Sequence, residues 1–363
     1  MNFFDYVIAS SFKSWQLVGM ELVKAKKLKQ GDGIGIFTPS SPSYVHNPEM
    51  YEVGKRNLAQ LGFNVIEGEL TQKRASQGYR SGTPKQRAEE FMGLIENPEV
   101  QGLMSTIGGS NSSSMIPYLD FKKIRESRKV ICGYSDVTSL HLAILKYSRI
   151  KTFYGPALMT WFGDYPNGVM ESAQFFWEAV TNTSSPRPLQ PFSKWSNHGR
   201  DWSNGDWKKI PRNWWDNKGW KVLNSGLIEA PIVVANLNTL MSSAGTPYFP
   251  ELEGKILLIE EMAAPFSREE RSLRQLQLMG VFDKIVGLIF GKPEFPDTEG
   301  APFSLEDLLL EIVGTKSYPI VSQFDCSHTV PMHTIAEETL VTFRAANSYD
   351  VDFILKESFV EEV

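Results

Sequence analysis

The chain has 363 residues, 42% hydrophobic and 22% charged, enough to bury the cores of about two domains. Its net charge of −5 gives no field that would favour nucleic acid or an anionic membrane, and no apolar run approaches the roughly 20 residues that span a bilayer. Two cysteines, Cys132 and Cys326, are too few for a disulfide framework and fit a reducing compartment. The opening Met1-Asn2-Phe3-Phe4-Asp5-Tyr6 lacks the basic leader and apolar core of a secretory signal, so the cytoplasm is the expected place of work.

Residues 1–30 predict a helical extension, with Leu17, Met20, Leu22 and Val23 apolar and Lys24-Ala25-Lys26-Lys27 a solvated basic face. A strand over 34–37 follows, ending in the polar loop Thr38-Pro39-Ser40-Ser41-Pro42. Helices over 48–61, 85–95 and 115–126 then alternate with strands over 63–66, 100–107 and 129–132. Strands separated by helices in this way imply right-handed βαβ units and a parallel sheet. In such sheets ligands sit beyond the carboxyl ends of the strands. Three polar loops fall there: 38–42, 108–114 and Gly133-Tyr134-Ser135-Asp136.

Composition changes near residue 181. From 181 to 225 the chain is poor in apolar periodicity and holds six of its nine tryptophans: Trp195, Trp202, Trp207, Trp214, Trp215 and Trp220. Disordered linkers are normally poor in aromatics, so this segment packs on something, as a surface anchor or as a stacking wall for a planar ligand. Beyond 226, β-like runs over 228–234, 255–259, 285–290 and 339–343 surround helices over 267–279 and 305–312. The expected architecture is α/β: a Rossmann-like parallel-sheet domain over 1–180, a Trp-rich substrate loop over 181–225, and a smaller β-rich domain over 226–363.

The loop Gly108-Gly109-Ser110-Asn111-Ser112-Ser113-Ser114 turns a strand into a helix over glycines and small polar residues. Such a turn can present a hydroxyl together with backbone N–H groups, as a nucleophile elbow does, although the spelling departs from G-x-S-x-G. A serine nucleophile needs an imidazole to take its proton and a carboxylate to orient that imidazole. Of five histidines, His46 and His198 lie in loops, His141 lies on a helix, and His328 and His333 flank a turn after Phe324-Asp325-Cys326-Ser327. Glu260-Glu261 closes an apolar strand, where two acids require partners such as an imidazole, Arg268 or Arg271. Zinc signatures, a P-loop and a dinucleotide fingerprint are all missing, so neither metal nor cofactor is expected.

Several segments together resemble the LD-carboxypeptidase family of serine peptidases, and within it the microcin C self-immunity (MccF) type. They are Gly31-Asp32-Gly33-Ile34-Gly35-Ile36, Pro39-Ser40-Ser41-Pro42, Gly82-Thr83 with Arg87-Ala88, Ile107 to Ser112, and Gly133 to Thr138. Asn236-Leu237-Asn238-Thr239-Leu240, Leu258 to Glu261, Gly280 to Ile285 and Phe324 to Thr329 complete the set. The resemblance implies Ser112 as nucleophile, His328 as general base and Glu260 as orienting acid. It also implies an oxyanion hole from the backbone N–H groups of Gly109 and Ser113, and substrate contacts by Asn236. Trp202, with Trp195 second, matches an aromatic that stacks on a nucleobase in MccF-type members. Where the family tends to carry glycines, this chain has Val233-Val234-Ala235. The implied substrate is an aminoacyl or peptidyl nucleotide, the alternatives being murein tetrapeptides or a non-catalytic binding role, and the implied assembly is a homodimer.

Overall fold

The computed structural model describes residues 20–165, 168–197, 199–262 and 265–362. Two sheets carry the structure. The first has strand order Ile335–Ala336, Phe153–Tyr154, Val130–Gly133, Gly102–Ser105, Gly33–Phe37 and Asn64–Glu67. Its five strands from the first half of the chain are parallel, and Ile335–Ala336 joins antiparallel beside Phe153–Tyr154. Every residue of Gly33–Phe37, Gly102–Ser105 and Val130–Gly133 is buried. Continuous apolar strands of this kind belong to a parallel sheet covered on both faces.

Taken in chain order, the five parallel strands run 2-1-3-4-5, so the winding reverses between Gly33–Phe37 and Gly102–Ser105. Ligand crevices form at that reversal, beyond the carboxyl ends of the two strands. The loops leaving it are 38–42 and 106–111.

The second sheet is mixed, with eight strands: Lys221–Asn224, Ile320–Phe324, Gly287–Gly291, Ile256–Glu260, Gly226–Asn236, Thr339–Ala345, Val351–Leu355 and Arg187–Leu189. Its four central neighbours are parallel. Both Arg187–Leu189 and Lys221–Asn224 come from the stretch expected to be a loop, and they form the two edges of this sheet. Strands of three and four residues carry too little alternation to stand out in a sequence rich in Pro, Ser and Trp.

Two expected elements differ. The helix over 115–126 is a 3₁₀ helix, Ser112–Tyr118, followed by an α-helix, Phe121–Ser127. Pro117 lacks the N–H that a continuous helix needs, and the Asp120 side chain caps the new start by accepting from Lys122 and Lys123 N–H. Residues 1–19 of the expected extension, including Leu17, lie outside the described residues. The remainder is not helical: Val23 bridges Ile150, and Ala25–Lys26 pairs in parallel with Val360–Glu361. Ala25 faces in and Lys26 out, while Lys24 and Lys27 meet Glu357 and Glu362 at 3.0 and 2.5 Å. The basic run is therefore a clasp onto the end of the chain.

Candidate active site

The turn after Gly102–Ser105 is held from two sides. Ser40, in the loop across the winding reversal, accepts from the N–H groups of Ser110 and Asn111 at 3.0 and 3.1 Å. Asp136 accepts from the N–H groups of Asn111 and Ser112 at 2.9 Å each. Gly109 must be glycine. Its φ is +149°, and a Cβ there would stand 2.3 Å from Ser40 Oγ and 2.9 Å from Ser41 N. Beneath the turn lies Arg87, a guanidinium with 1% of its surface exposed. It donates to the carbonyls of Pro39, Gly82 and Asn111 and to Ser114 Oγ.

Ser112 opens the 3₁₀ helix and is buried, with its Oγ donating to the Asp136 carbonyl at 2.6 Å. No hydrogen bond joins this hydroxyl to the His328 ring among the described residues. Gly109 and Ser113, the expected oxyanion donors, have no intrachain acceptor for their N–H groups among the described residues. The carboxamide of Asn111 is likewise buried without a partner beside Ser112.

Glu260 ends the strand Ile256–Glu260 with none of its surface exposed. Its Oε2 meets His328 Nδ1 at 2.6 Å. Its Oε1 accepts from Tyr154 OH at 2.5 Å and from Asn236 Nδ2 at 3.1 Å. Tyr154 OH accepts in turn from Ser135 N–H at 3.1 Å. With Nδ1 donating to the carboxylate, the neutral imidazole keeps its Nε2 lone pair for a proton. Tyr134 packs against the His328 ring, centroids 4.7 Å apart. The two acids at the strand end divide the expected partners: Glu260 takes the imidazole, whereas Glu261 meets Arg268 at 3.5 Å.

The strand Gly287–Gly291 lies between the strand that ends in Glu260 and the strand that leads to His328. A Cβ on Gly291 would come within 2.6 Å of Glu260 Cβ, 2.8 Å of Cys326 O and 3.0 Å of Ser327 Cβ. Its bare backbone lets acid and imidazole close over it.

Burial alone would push the His328 imidazole down. The charge of Glu260, its hydrogen bond and the charges of Glu294 and Glu261 outweigh that, holding His328 above the ordinary histidine value. Glu294 is itself pushed up by burial, to about 7.

The remaining histidines and expected contacts are placed differently. His141 and His333 are core residues whose Nε2 atoms meet the carbonyls of Gly133 and Gln190. His46 is exposed, and His198 lies outside the described residues. Asn236, expected to line the substrate site, is 3% exposed. Its carboxamide binds Glu260 and Glu261 and caps the helix Leu237–Ser242.

The Trp-rich segment is pinned around His328. Ser196 pairs with Val330 at 2.8 and 3.0 Å, and Asn197 Nδ2 donates to the Glu294 carbonyl at 2.5 Å. Arg200 and Arg212 both bind Asp164. Trp195 packs on Trp215 with Lys292 Nζ 5.4 Å from its ring. Trp220 is buried and donates to Asp325, and Trp202 is half-buried at the edge of the main core.

Sequence reasoning marked the loops that contain Ser40, Tyr134 and Asp136, and the segment with Arg87, but not what these side chains do. Glu294 and Tyr154 carried no signal of their own.

A two-sheet α/β frame with a serine turn at its winding reversal and a buried acid–imidazole pair defines the class, a serine-type carboxypeptidase. Models of the LD-carboxypeptidase N-terminal and C-terminal domains match residues 34–155 and 229–343, and the chain belongs to that family. It is 38% identical over 312 residues to a putative carboxypeptidase of Vibrio cholerae, covering 86% of this chain and 92% of the relative. It is 37% identical over 313 residues to the microcin C7 self-immunity protein MccF of Escherichia coli, covering 86% and 90%. The solved structure of MccF in complex with glutamyl sulfamoyl guanosine superposes with a TM-score of 0.88 at 34% identity, covering 93% of this chain and 100% of that one.

Two outcomes are expected. A general base must be neutral to act, so the acid limb of the kcat/KM profile should lie above pH ~6.5, and Glu294→Gln should move it to lower pH. A limb at or below that value, or one unmoved by the substitution, contradicts the electrostatic account. Gly291→Ala should cost about 1–3 kcal/mol of stability through overpacking and lower kcat. Unchanged urea midpoint and kcat would refute the close-approach argument.

Proposed function

We propose that this chain hydrolyses aminoacyl or peptidyl nucleotides of the microcin C kind at the amide-type bond joining the acyl carbonyl to the nucleotide moiety. The observation that carries the reading is the buried 2.6 Å bond between His328 Nδ1 and Glu260, which leaves Nε2 as a base. For attack, the Ser112 hydroxyl exchanges its bond to the Asp136 carbonyl for one to His328 Nε2. Oγ adds to the acyl carbonyl as Nε2 takes the proton, and Glu260 stabilises the imidazolium. The oxyanion is met by the N–H groups of Gly109 and Ser113, each such donor contributing about 10²–10³ in turnover. His328 returns the proton to the leaving nitrogen, and water then releases the acyl group from Ser112 by the same route. Asn236 acts as a positioning residue for Glu260.

The nucleotide substrate is supported by MccF, whose structure is a complex with glutamyl sulfamoyl guanosine, and by the Trp-rich segment, in which Ser196 pairs with Val330 near His328. Within that segment Trp202 is the proposed stacking ring and Trp195 the second candidate. The family's LD-carboxypeptidase character supports one other reading, release of terminal D-alanine from murein tetrapeptides. The protein works in the cytoplasm, which two buried free cysteines suit, and as a homodimer, to be tested by light scattering. The proposed domain division lies between a first part up to residue 180 and a second part from 226, with the edge strands Arg187–Leu189 and Lys221–Asn224 of the intervening segment added to the second sheet.

Ser112→Ala should lower hydrolysis of an aminoacyl sulfamoyl adenosine by at least about 10³-fold; turnover at the parent rate would rule out the serine mechanism. Trp202→Ala should weaken the nucleotide substrate by roughly 5- to 150-fold, the worth of one base–aromatic stack, and leave a murein tetrapeptide unaffected. Equal loss on both substrates would remove Trp202 from that role.

A further inference from the structure

His328 stands on a loop that leans on the Trp-rich segment. The chain leaves the strand Ile320–Phe324 at Asp325 and returns at His333, whose N–H donates to the Asp325 carbonyl at 2.7 Å and closes the neck of the loop. Within the loop Thr329 N–H donates to Ser327 Oγ at 3.1 Å, and Met332 N–H reaches Ser172 Oγ at 2.9 Å. Val330 exchanges backbone bonds with Ser196 at 2.8 and 3.0 Å. His333 Nε2 meets the Gln190 carbonyl at 3.0 Å, and its ring stacks on Phe192 with centroids 4.5 Å apart.

The neck carries a buried carboxylate that the proposed chemistry does not use. Asp325 is 1% exposed, and its Oδ2 accepts from Trp220 Nε1 at 2.9 Å, Asn217 Nδ2 at 3.1 Å and Phe192 N–H at 3.3 Å. Lys292, itself buried, meets its charge. The Lys292 ammonium also donates to the Gln323 carbonyl at 3.0 Å and lies 5.4 Å from the Trp195 ring. Three of these four donors to Asp325 thus come from positions 192, 217 and 220 of the segment, and this one group gathers them. A buried carboxylate is unfavourable unless donors replace its water, so segment and neck are satisfied together. Desolvation offsets most of the attraction within a buried ion pair, and the best-attested use of such a pair is to fix one arrangement. The pair also adjoins the acid of the triad, because Lys292 follows Gly291, the residue packed against Glu260 Cβ and the Cys326 carbonyl.

We propose that Asp325 is a positioning residue for the general base: with Lys292 it fastens the neck of the His328 loop to the Trp-rich segment, and the segment thereby sets the reach of Nε2 toward Ser112. The inference rests on the amide-hydrolase reading above, in which His328 is the base. Glu260 fixes the tautomer and tilt of the ring, while Asp325 fixes the backbone from which the ring projects. The Trp-rich segment then serves catalysis on any substrate, whatever its own contacts with a nucleobase.

The test removes donors and leaves the ion pair in place. Asn217→Ala deletes one donor from a half-buried position, and Trp220→Phe deletes another while keeping a ring against Phe324. The double variant should lose about 10- to 100-fold in kcat, the scale on which a misplaced catalytic group slows a reaction. KM should stay within about twofold, and the loss should be the same for an aminoacyl sulfamoyl adenosine and a murein tetrapeptide, on whichever the parent turns over. The charges that set the ring are untouched, so the acid limb of kcat/KM should stay where the parent has it. Parent kcat in a double variant whose melting temperature has fallen makes the role structural and overturns the proposal. A loss confined to KM for the nucleotide substrate overturns it too, leaving the segment as a substrate wall. Amide hydrogen exchange reads the same device without turnover. Residues 326–332 should exchange about 10-fold faster in the double variant, while Ile256–Glu260 and Gly287–Gly291 keep the parent rates; unchanged exchange in 326–332 overturns the proposal. Absence of turnover in the parent on both substrates counts against the hydrolase reading, and the exchange result then decides whether Asp325 holds the loop.

Discussion

Glu260 is a carboxylate with no exposed surface, and the arrangement of the molecule follows from satisfying it. A buried charge is unfavourable by several kcal/mol unless its lone pairs are met with good geometry. Here the partners come from three places: His328 beyond the strand Ile320–Phe324, Tyr154 from the last parallel strand of the first sheet, and Asn236 from the neighbouring strand of the second. One carboxylate therefore ties the two sheets together and fixes the His328 imidazole. The strand Ile335–Ala336 adds a second tie by crossing into the first sheet beside Phe153–Tyr154.

The serine turn obeys a different constraint. Its backbone N–H groups need acceptors, and Asp136 and Ser40 supply them from the loops after the strands Val130–Gly133 and Gly33–Phe37. Arg87 satisfies carbonyls on the other side. The turn is thus over-determined from both sides, while the N–H groups of Gly109 and Ser113 have no intrachain acceptor among the described residues. Preorganised donors act on developing charge without reorganisation at the moment of reaction.

How much of this could be read from sequence depended on the length of the signal. Gly33–Phe37, Gly102–Ser105 and Val130–Gly133 were legible because four or five consecutive buried residues between helices admit few alternatives, and the polar loops at their ends marked the site, whereas the two-residue strand Phe153–Tyr154 was too short to read. Ser112 and His328 stood out only through the ordered motifs, since Ser110, Ser113 and Ser114, or His333 beside His328, are chemically equivalent on paper. Asp136 was visible as a residue but not as the anchor of the turn, because that role depends on a contact across 24 positions. Glu294 had no local signature at all, its influence on His328 being purely spatial. The clasp of Ala25–Lys26 onto Val360–Glu361 was hidden for the same reason: a two-residue strand is defined by its partner, 335 positions away.

The acids around His328 raise a question of poise. A base held above the ordinary histidine value favours its protonated form more than a free imidazole does, and only the neutral form can accept a proton from Ser112. The negative charge responsible includes Glu261 and Glu294 as well as Glu260. Glu261 meets Arg268 at 3.5 Å and Glu294 feels the charge of Arg212. Coulomb's law fixes the sign: each arginine offsets part of the field that stabilises the imidazolium, so the poise of the base depends on the balance between these acids and their cationic neighbours.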